Sequence, residues 1–152
     1  MRLIKKPLII FASLTLISCS AFRNSIPYKP IKANISDPIS LIKQTIERQS
    51  PAYNPIQWAE VTDQYIKVSQ LEAGYGPNDR AYYEVVRTVY YELIGDVKIF
   101  NNFTGDMVWY WWAELYDKSG AFMLYVYPLE ENQTKRFVDA LYIMMEKTSA
   151  PQ

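Results

Sequence analysis

The stretch Ala81-Tyr82-Tyr83-Glu84-Val85-Val86-Arg87-Thr88-Val89-Tyr90-Tyr91-Glu92-Leu93-Ile94 admits two readings, and the fold turns on the choice between them. Glu84, Thr88 and Glu92 recur every four residues, which is helical spacing. Against that, the segment is crowded with Tyr, Val and Thr. Branched and aromatic side chains lose rotamer freedom in a helix and pack well on a pleated surface. We read 81–94 as a strand. It runs into Ile94-Gly95-Asp96-Val97, which reads as a two-residue hairpin with Gly first, as a type II′ turn requires.

Downstream the pattern is plainer. Val97–Phe100 reads as a strand, Thr104-Gly105-Asp106 as a turn, and Met107–Tyr116 as a strand. Lys118-Ser119-Gly120 is another turn, and Phe122–Tyr127 a strand stopped by Pro128. On Met107–Tyr116, period two places Met107, Trp109, Trp111, Ala113 and Leu115 on one apolar face. Val108, Tyr110, Trp112, Glu114 and Tyr116 fall on the other, which is expected to be half-wet. The chain closes with an amphipathic helix over Asn132–Lys147. There Phe137, Ala140, Leu141, Met144 and Met145 share one face, and Glu130, Glu131 and Lys147 match the helix dipole.

Upstream, Asp37-Pro38 is a helix start, with Asp as N-cap and Pro at the first helical position. Leu41, Ile42, Thr45 and Ile46 follow at helical spacing, and the signal fades by Gln49-Ser50-Pro51. Residues 57–72 read as a hairpin of Trp58–Val61 and Tyr65–Gln70 turning at Thr62-Asp63-Gln64, although Trp58, Val61, Tyr65 and Val68 also fit a helical seam. Gly74-Tyr75-Gly76-Pro77-Asn78 reads as a break. The fold class is therefore α+β: an antiparallel meander sheet or split barrel with a short N-terminal helix and a C-terminal amphipathic helix.

That order, from about residue 57 to 147, resembles a pleckstrin-homology-type split barrel. The likeness is carried by Tyr90-Tyr91-Glu92-Leu93-Ile94-Gly95-Asp96-Val97, Glu114-Leu115-Tyr116-Asp117-Lys118-Ser119-Gly120 and Lys135-Arg136-Phe137-Val138-Asp139-Ala140-Leu141. It is a pattern of elements and not a diagnostic motif. The turn at Thr62-Asp63-Gln64 lacks the basic cluster of lipid-binding members, so phosphoinositide binding does not carry over. A helical 81–94 would instead resemble a profilin- or roadblock-like α/β/α sandwich.

The N-terminus has a basic start, the apolar run Leu8–Ile17 and small residues after it, the three parts of a secretory signal. Ten apolar residues are too few for a bilayer, which needs about 20. Leu16-Ile17-Ser18-Cys19 resembles the lipobox of bacterial lipoprotein precursors. The resemblance implies cleavage before Cys19, acylation of its sulfur and anchorage in a membrane. Ser20, in the sorting position, is not Asp; by analogy with enterobacterial lipoproteins this implies the outer membrane. Residues 20–36 carry Pro27 and Pro30 and no clear period. They read either as a tether reaching roughly 50 Å or as an arm packed through Ile26, Tyr28 and Ile31. The expected organisation is a signal peptide over 1–18, a lipidated tether over 19–36 and a single α+β domain over 37–152.

Composition narrows the chemistry. Removing residues 1–18 from 152 leaves 134, enough for one domain with a core. Arg2, Lys5 and Lys6 leave with the signal, taking the formal net charge from 0 to −3, which argues against nucleic acid or anionic lipid surfaces as main partners, since both want clustered Lys/Arg. A single Cys cannot form an internal disulfide, and the absence of His excludes His-based triads and imidazole metal sites. Glu114 and Asp117 have an odd spacing that sends them to opposite strand faces, and Lys118-Ser119 sits on a turn. No catalytic group, cofactor or metal is expected.

Tyr110, Trp112 and Tyr116 are the candidate interaction surface, since Trp and Tyr anchor protein interfaces and their rings can also stack on sugars. The alternative is that these rings lie beneath the N-terminal helix. The sequence thus describes an outer-membrane lipoprotein facing the periplasm, held by its lipid at Cys19. Its domain would bind an unidentified envelope or periplasmic protein, as an accessory of an assembly or secretion machine or as an immunity protein. The competing reading is a cell-wall carbohydrate binder, or a hydrolase using carboxylates.

Overall fold

In a computed structural model, residues 23–32, 34–49, 56–75, 80–103 and 109–149 are described. Leu16-Ile17-Ser18-Cys19 and the Thr104-Gly105-Asp106 turn lie outside them. The deciding stretch 81–94 is a strand as far as Tyr90: β4 spans Arg80–Tyr90 and pairs along its whole length with β3, Tyr65–Tyr75. β3 also pairs with β2, Ile56–Val61, making a three-stranded antiparallel sheet in the order β2-β3-β4. Thr62 builds the β2–β3 turn. Its hydroxyl oxygen accepts from Gln64 N (3.2 Å) and Tyr65 N (3.1 Å), and its own N–H donates to Tyr65 O (3.0 Å). Of the expected break Gly74-Tyr75-Gly76-Pro77-Asn78, Gly74 and Tyr75 belong to β3 and pair with Ala81 and Arg80, and Gly76-Pro77-Asn78 lies outside the described residues.

Ile94-Gly95-Asp96-Val97 is not a hairpin turn. The chain changes direction one step earlier, in the 3-10 turn Tyr91–Leu93, and enters β5, Ile94–Phe103, which belongs to the other sheet. Tyr91 is buried and anchors this crossing. Its N–H donates to Gln64 O (3.1 Å) and its hydroxyl to Thr62 O (3.3 Å), and burial raises its pKa. Gly95 sits at a register shift inside β5. A Cβ there would lie 2.6 Å from Lys118 Cα and 2.7 Å from Asp117 O, so glycine is required by a close backbone approach and not by turn geometry.

β5 pairs with β6, Trp109–Asp117, which pairs with β7, Phe122–Val126. Asp117 shapes the β6–β7 turn. Its Oδ1 accepts from Ser119 N (2.8 Å), Ser119 Oγ (2.7 Å) and Ala121 N (2.8 Å), and Gly120 takes φ +86°. The Ser119 hydroxyl bond is the largest of the contacts that lower the Asp117 pKa. The fourth strand of this sheet, β1 (Arg23–Ile26), lies antiparallel against the free edge of β5, giving the order β1-β5-β6-β7.

Of the two readings of residues 20–36, tether or packed arm, the arm holds from Arg23 to Lys32 through Ile26 and Tyr28, whereas Ile31 is 64% exposed and is held by its backbone N–H instead. Past Pro27 the chain is held by Asp139. That buried carboxylate accepts from Tyr28 OH (2.9 and 3.0 Å to its two oxygens) and from Ile31 N (2.7 Å). Lys32 pairs with Glu146, and Lys135 Nζ stands 5.7 Å from the Tyr28 ring centroid. The folded unit therefore begins before residue 37.

α1 spans Pro38–Glu47, capped by Asp37 Oδ1 accepting from Ser40 N (3.0 Å). α2 spans Glu131–Ser149, with Phe137, Ala140, Leu141 and Met144 buried and Met145 partly so. These helix faces join Ile66, Val68 and Val89 of one sheet to Val97, Ile99, Ala113, Leu115, Leu124 and Val126 of the other in one core. The result is an α+β fold of two open antiparallel sheets and two helices; among the described residues the strands do not close into a barrel.

Candidate interaction surface

The four-stranded sheet has its core on one side only. Ala113 and Leu115 enter the core with both helices, so strand alternation turns Trp112, Glu114 and Tyr116 to the opposite side. α1 packs on α2 and β2, so these rings do not lie beneath it.

On that outer side the ladder lines up three rows. Phe100 faces Trp112, with Tyr127 beyond; Lys98 faces Glu114, which faces Tyr125; Asp96 faces Tyr116, which faces Phe122. Phe122 and Tyr125 are an odd number apart and would ordinarily point to opposite faces. A register shift between Leu115 and Tyr116 absorbs one residue of β7 and puts both rings on this side.

The rings form a connected band. Phe100 and Trp112 stack at 5.5 Å and 19°, and Trp112 meets Tyr127 at 5.9 Å. Tyr127 meets Tyr125 edge-on at 5.2 Å, Tyr125 meets Phe122 at 5.6 Å, and Phe122 meets Tyr116 edge-on at 6.1 Å. Glu114 sits among them at 7% exposure. It accepts from Trp112 Nε1 (2.8 Å) through one oxygen and from the Tyr116 hydroxyl through the other. Lys98 Nζ lies 4.8 Å from the Tyr116 ring centroid and 3.7 Å from Asp96 Oδ2.

The expectation of a half-wet face needs correction at its centre. Trp112 is 8% exposed and Glu114 is buried, because neighbouring rings cover them. The wetter part is the periphery: Tyr110, Tyr116, Tyr125 and Tyr127 are half-buried, and Phe122 is 46% exposed. Local spacing points to Tyr110, Trp112 and Tyr116 and misses Phe100, Phe122, Tyr125 and Tyr127. Only the bulge in β7 reveals Phe122 and Tyr125 as partners, and nothing in the neighbouring residues announces it.

Chemically the arrangement is a stiff apolar platform with a polar floor. A carboxylate that receives two side-chain donors is an acceptor that fixes ring orientation. Ser119, the hydroxyl beside Lys118, donates to Asp117 on an exposed turn. Elsewhere, a groove of about 300 Å³ between the helices is lined by Leu41, Gln44, Thr45, Arg48, Gln133 and Arg136. The outer face of the three-stranded sheet carries exposed Trp58, Val86 and Tyr90, with Lys67 Nζ 5.7 Å from the Trp58 ring. Among the described residues there is no group of three or more Cys, Asp or Glu placed to hold a metal ion, and no helix long and apolar enough to cross a membrane.

No protein family, characterised protein or solved structure matches this chain.

Proposed function

We propose that this protein is an outer-membrane lipoprotein, anchored through acylated Cys19, whose domain is a non-catalytic protein-interaction module. The single observation that carries the interaction reading is the connected aromatic band on the helix-free side of the four-stranded sheet. Its centre is dry and ring-packed, and its periphery (Tyr110, Tyr116, Phe122, Tyr125) is partly accessible. Interface hot spots have this make-up: packed aromatic anchors held in one rotamer, so that little side-chain entropy is lost on docking. A sugar-stacking platform needs an open ring face, and the most nearly coplanar pair here, Phe100 and Trp112, is buried. That favours a protein partner over a glycan.

The address is supported by the lipobox-like Leu16-Ile17-Ser18-Cys19 and by Ser20 after it. Cys19→Ser should abolish palmitate labelling and release or stall the protein; continued labelling would refute the anchor. For the domain, a photo-crosslinking residue in place of Phe122 should trap one discrete envelope protein in intact cells. The adduct should be lost when Tyr125→Ala is added. No adduct at this position, with the purified domain instead binding or cleaving wall glycan, would overturn the protein-partner reading.

A further inference from the structure

We propose that the end of the four-stranded sheet carrying Arg23, Asn102 and Tyr110 is the membrane-contacting end of the domain, seated at the lipid headgroups. This rests on the acylation of Cys19 proposed above. Chain length and strand register carry it. The arm is part of the fold from Arg23 on, so the link to the lipid is only the span from Cys19 to Arg23. Fully extended, those four steps cover about 14 Å, not the roughly 50 Å of a free tether.

Where the link enters the sheet is set by the ladder. Arg23 is opposite Asn102, and Asn102 is opposite Tyr110. One row further out, Phe103 is opposite Trp109. A short leash fixed to this row holds it against the bilayer. The β6–β7 turn stands at the other end of the same strands, and Tyr110 to Lys118 is about 27 Å of strand.

Two further features agree. The docked arm is locked by the paired oxygens of Asp139, so the leash does not lengthen by peeling. Tyr110, half-buried at the leash end, is a residue type enriched where a protein meets headgroups. As a consequence the aromatic band lies within about one strand length, some 30 Å, of the bilayer. Its partner must come equally close to the membrane.

The test uses the full-length lipidated chain in equimolar phosphatidylethanolamine/phosphatidylglycerol vesicles carrying a headgroup nitroxide. Because the one native thiol is acylated, Tyr110→Cys or Lys118→Cys accepts a fluorophore at a single place. Ser25→Cys is a second near-end site should Tyr110→Cys fail to fold. Quenching at 110 or 25 should be several-fold stronger than at 118, and a long flexible Gly/Ser insert after Ala21 should erase the difference. Equal quenching at both ends of a vesicle-bound, palmitate-labelled protein would overturn the proposal while leaving the lipoprotein reading intact. Absence of palmitate from that sample would instead overturn the lipoprotein reading, and this inference with it.

Discussion

Replacing Asp139 by Ala should undock the N-terminal arm without unfolding the domain. In the native fold one carboxylate of α2 takes the Tyr28 hydroxyl and the Ile31 N–H at 2.7 Å, beside the exposed Lys32–Glu146 pair. Hydrogen bonds to a charged acceptor contribute about 1.5–3 kcal/mol each, and partial exposure of the arm pulls the pair toward the low end, about 2–4 kcal/mol together. Losing 2–4 kcal/mol raises the arm's open fraction about 30- to 800-fold. Amide exchange read by mass spectrometry should show that gain in peptides covering 23–32, while Phe137–Leu141 keep their protection. Asp139→Asn, which retains an acceptor oxygen, should lose much less. Unchanged protection of 23–32 in Asp139→Ala would refute the reasoning, since the arm would then be held by β1 pairing, the packing of Ile26 and Tyr28, and the Lys32–Glu146 pair without the carboxylate.

The Tyr28 hydroxyl is pushed up to about 12, first by burial and then by its bond to Asp139 and that carboxylate's charge. The unfolded chain ionises near 10 while the docked arm keeps its proton, so the arm's stability is intact below pH 10 and lost as pH rises toward 12; Tyr28→Phe should flatten that dependence in exchange measurements. Gly95→Ala should lower stability by about 3 kcal/mol in urea titration, because the new methyl collides with the backbone of Asp117 and Lys118. Gly120→Ala meets no atom within 4 Å and should cost only about 1–2 kcal/mol, from its φ of +86°. Glu114→Leu leaves the buried Trp112 Nε1–H without its acceptor and should cost about 1–3 kcal/mol, with a shift in tryptophan emission.

What can be read from the sequence is what depends on neighbours in the chain. Asp37-Pro38 caps a helix through Ser40, three residues on; the α2 stripe is set by a 3.6-residue period; Thr62 closes its turn within three residues. The Tyr, Val and Thr of 81–94 outweigh an every-fourth-residue coincidence because β4 lies in a sheet. The features that local reading gets wrong depend on distant partners. Gly95 stands out in the sequence, but its cause is the backbone near Lys118, more than twenty residues away. β1 has no alternation to detect because it holds on by pairing with β5. Phe122 and Tyr125 share a face only through a bulge opposite Leu115 and Tyr116.

The same long-range pairing changes what the N-terminal segment does. Read locally, Pro27 and Pro30 make a spacer, and a spacer lets a domain search a deep volume. Paired through β1 and pinned at Asp139, the segment becomes a mount, and a mount fixes height and orientation. β1 also occupies the edge of β5 that would otherwise offer unpaired N–H and C=O groups to another strand. One docked segment thus guards an edge and shortens the leash. If the leash mattered only for retention, releasing the arm through Asp139→Ala would leave partner capture at Phe122 unchanged. If orientation matters, the released domain swings on a link that can extend by tens of ångströms, its effective concentration at a fixed membrane-borne partner falls, and the Phe122 adduct should drop with full palmitate labelling retained. That contrast separates a leash from a mount.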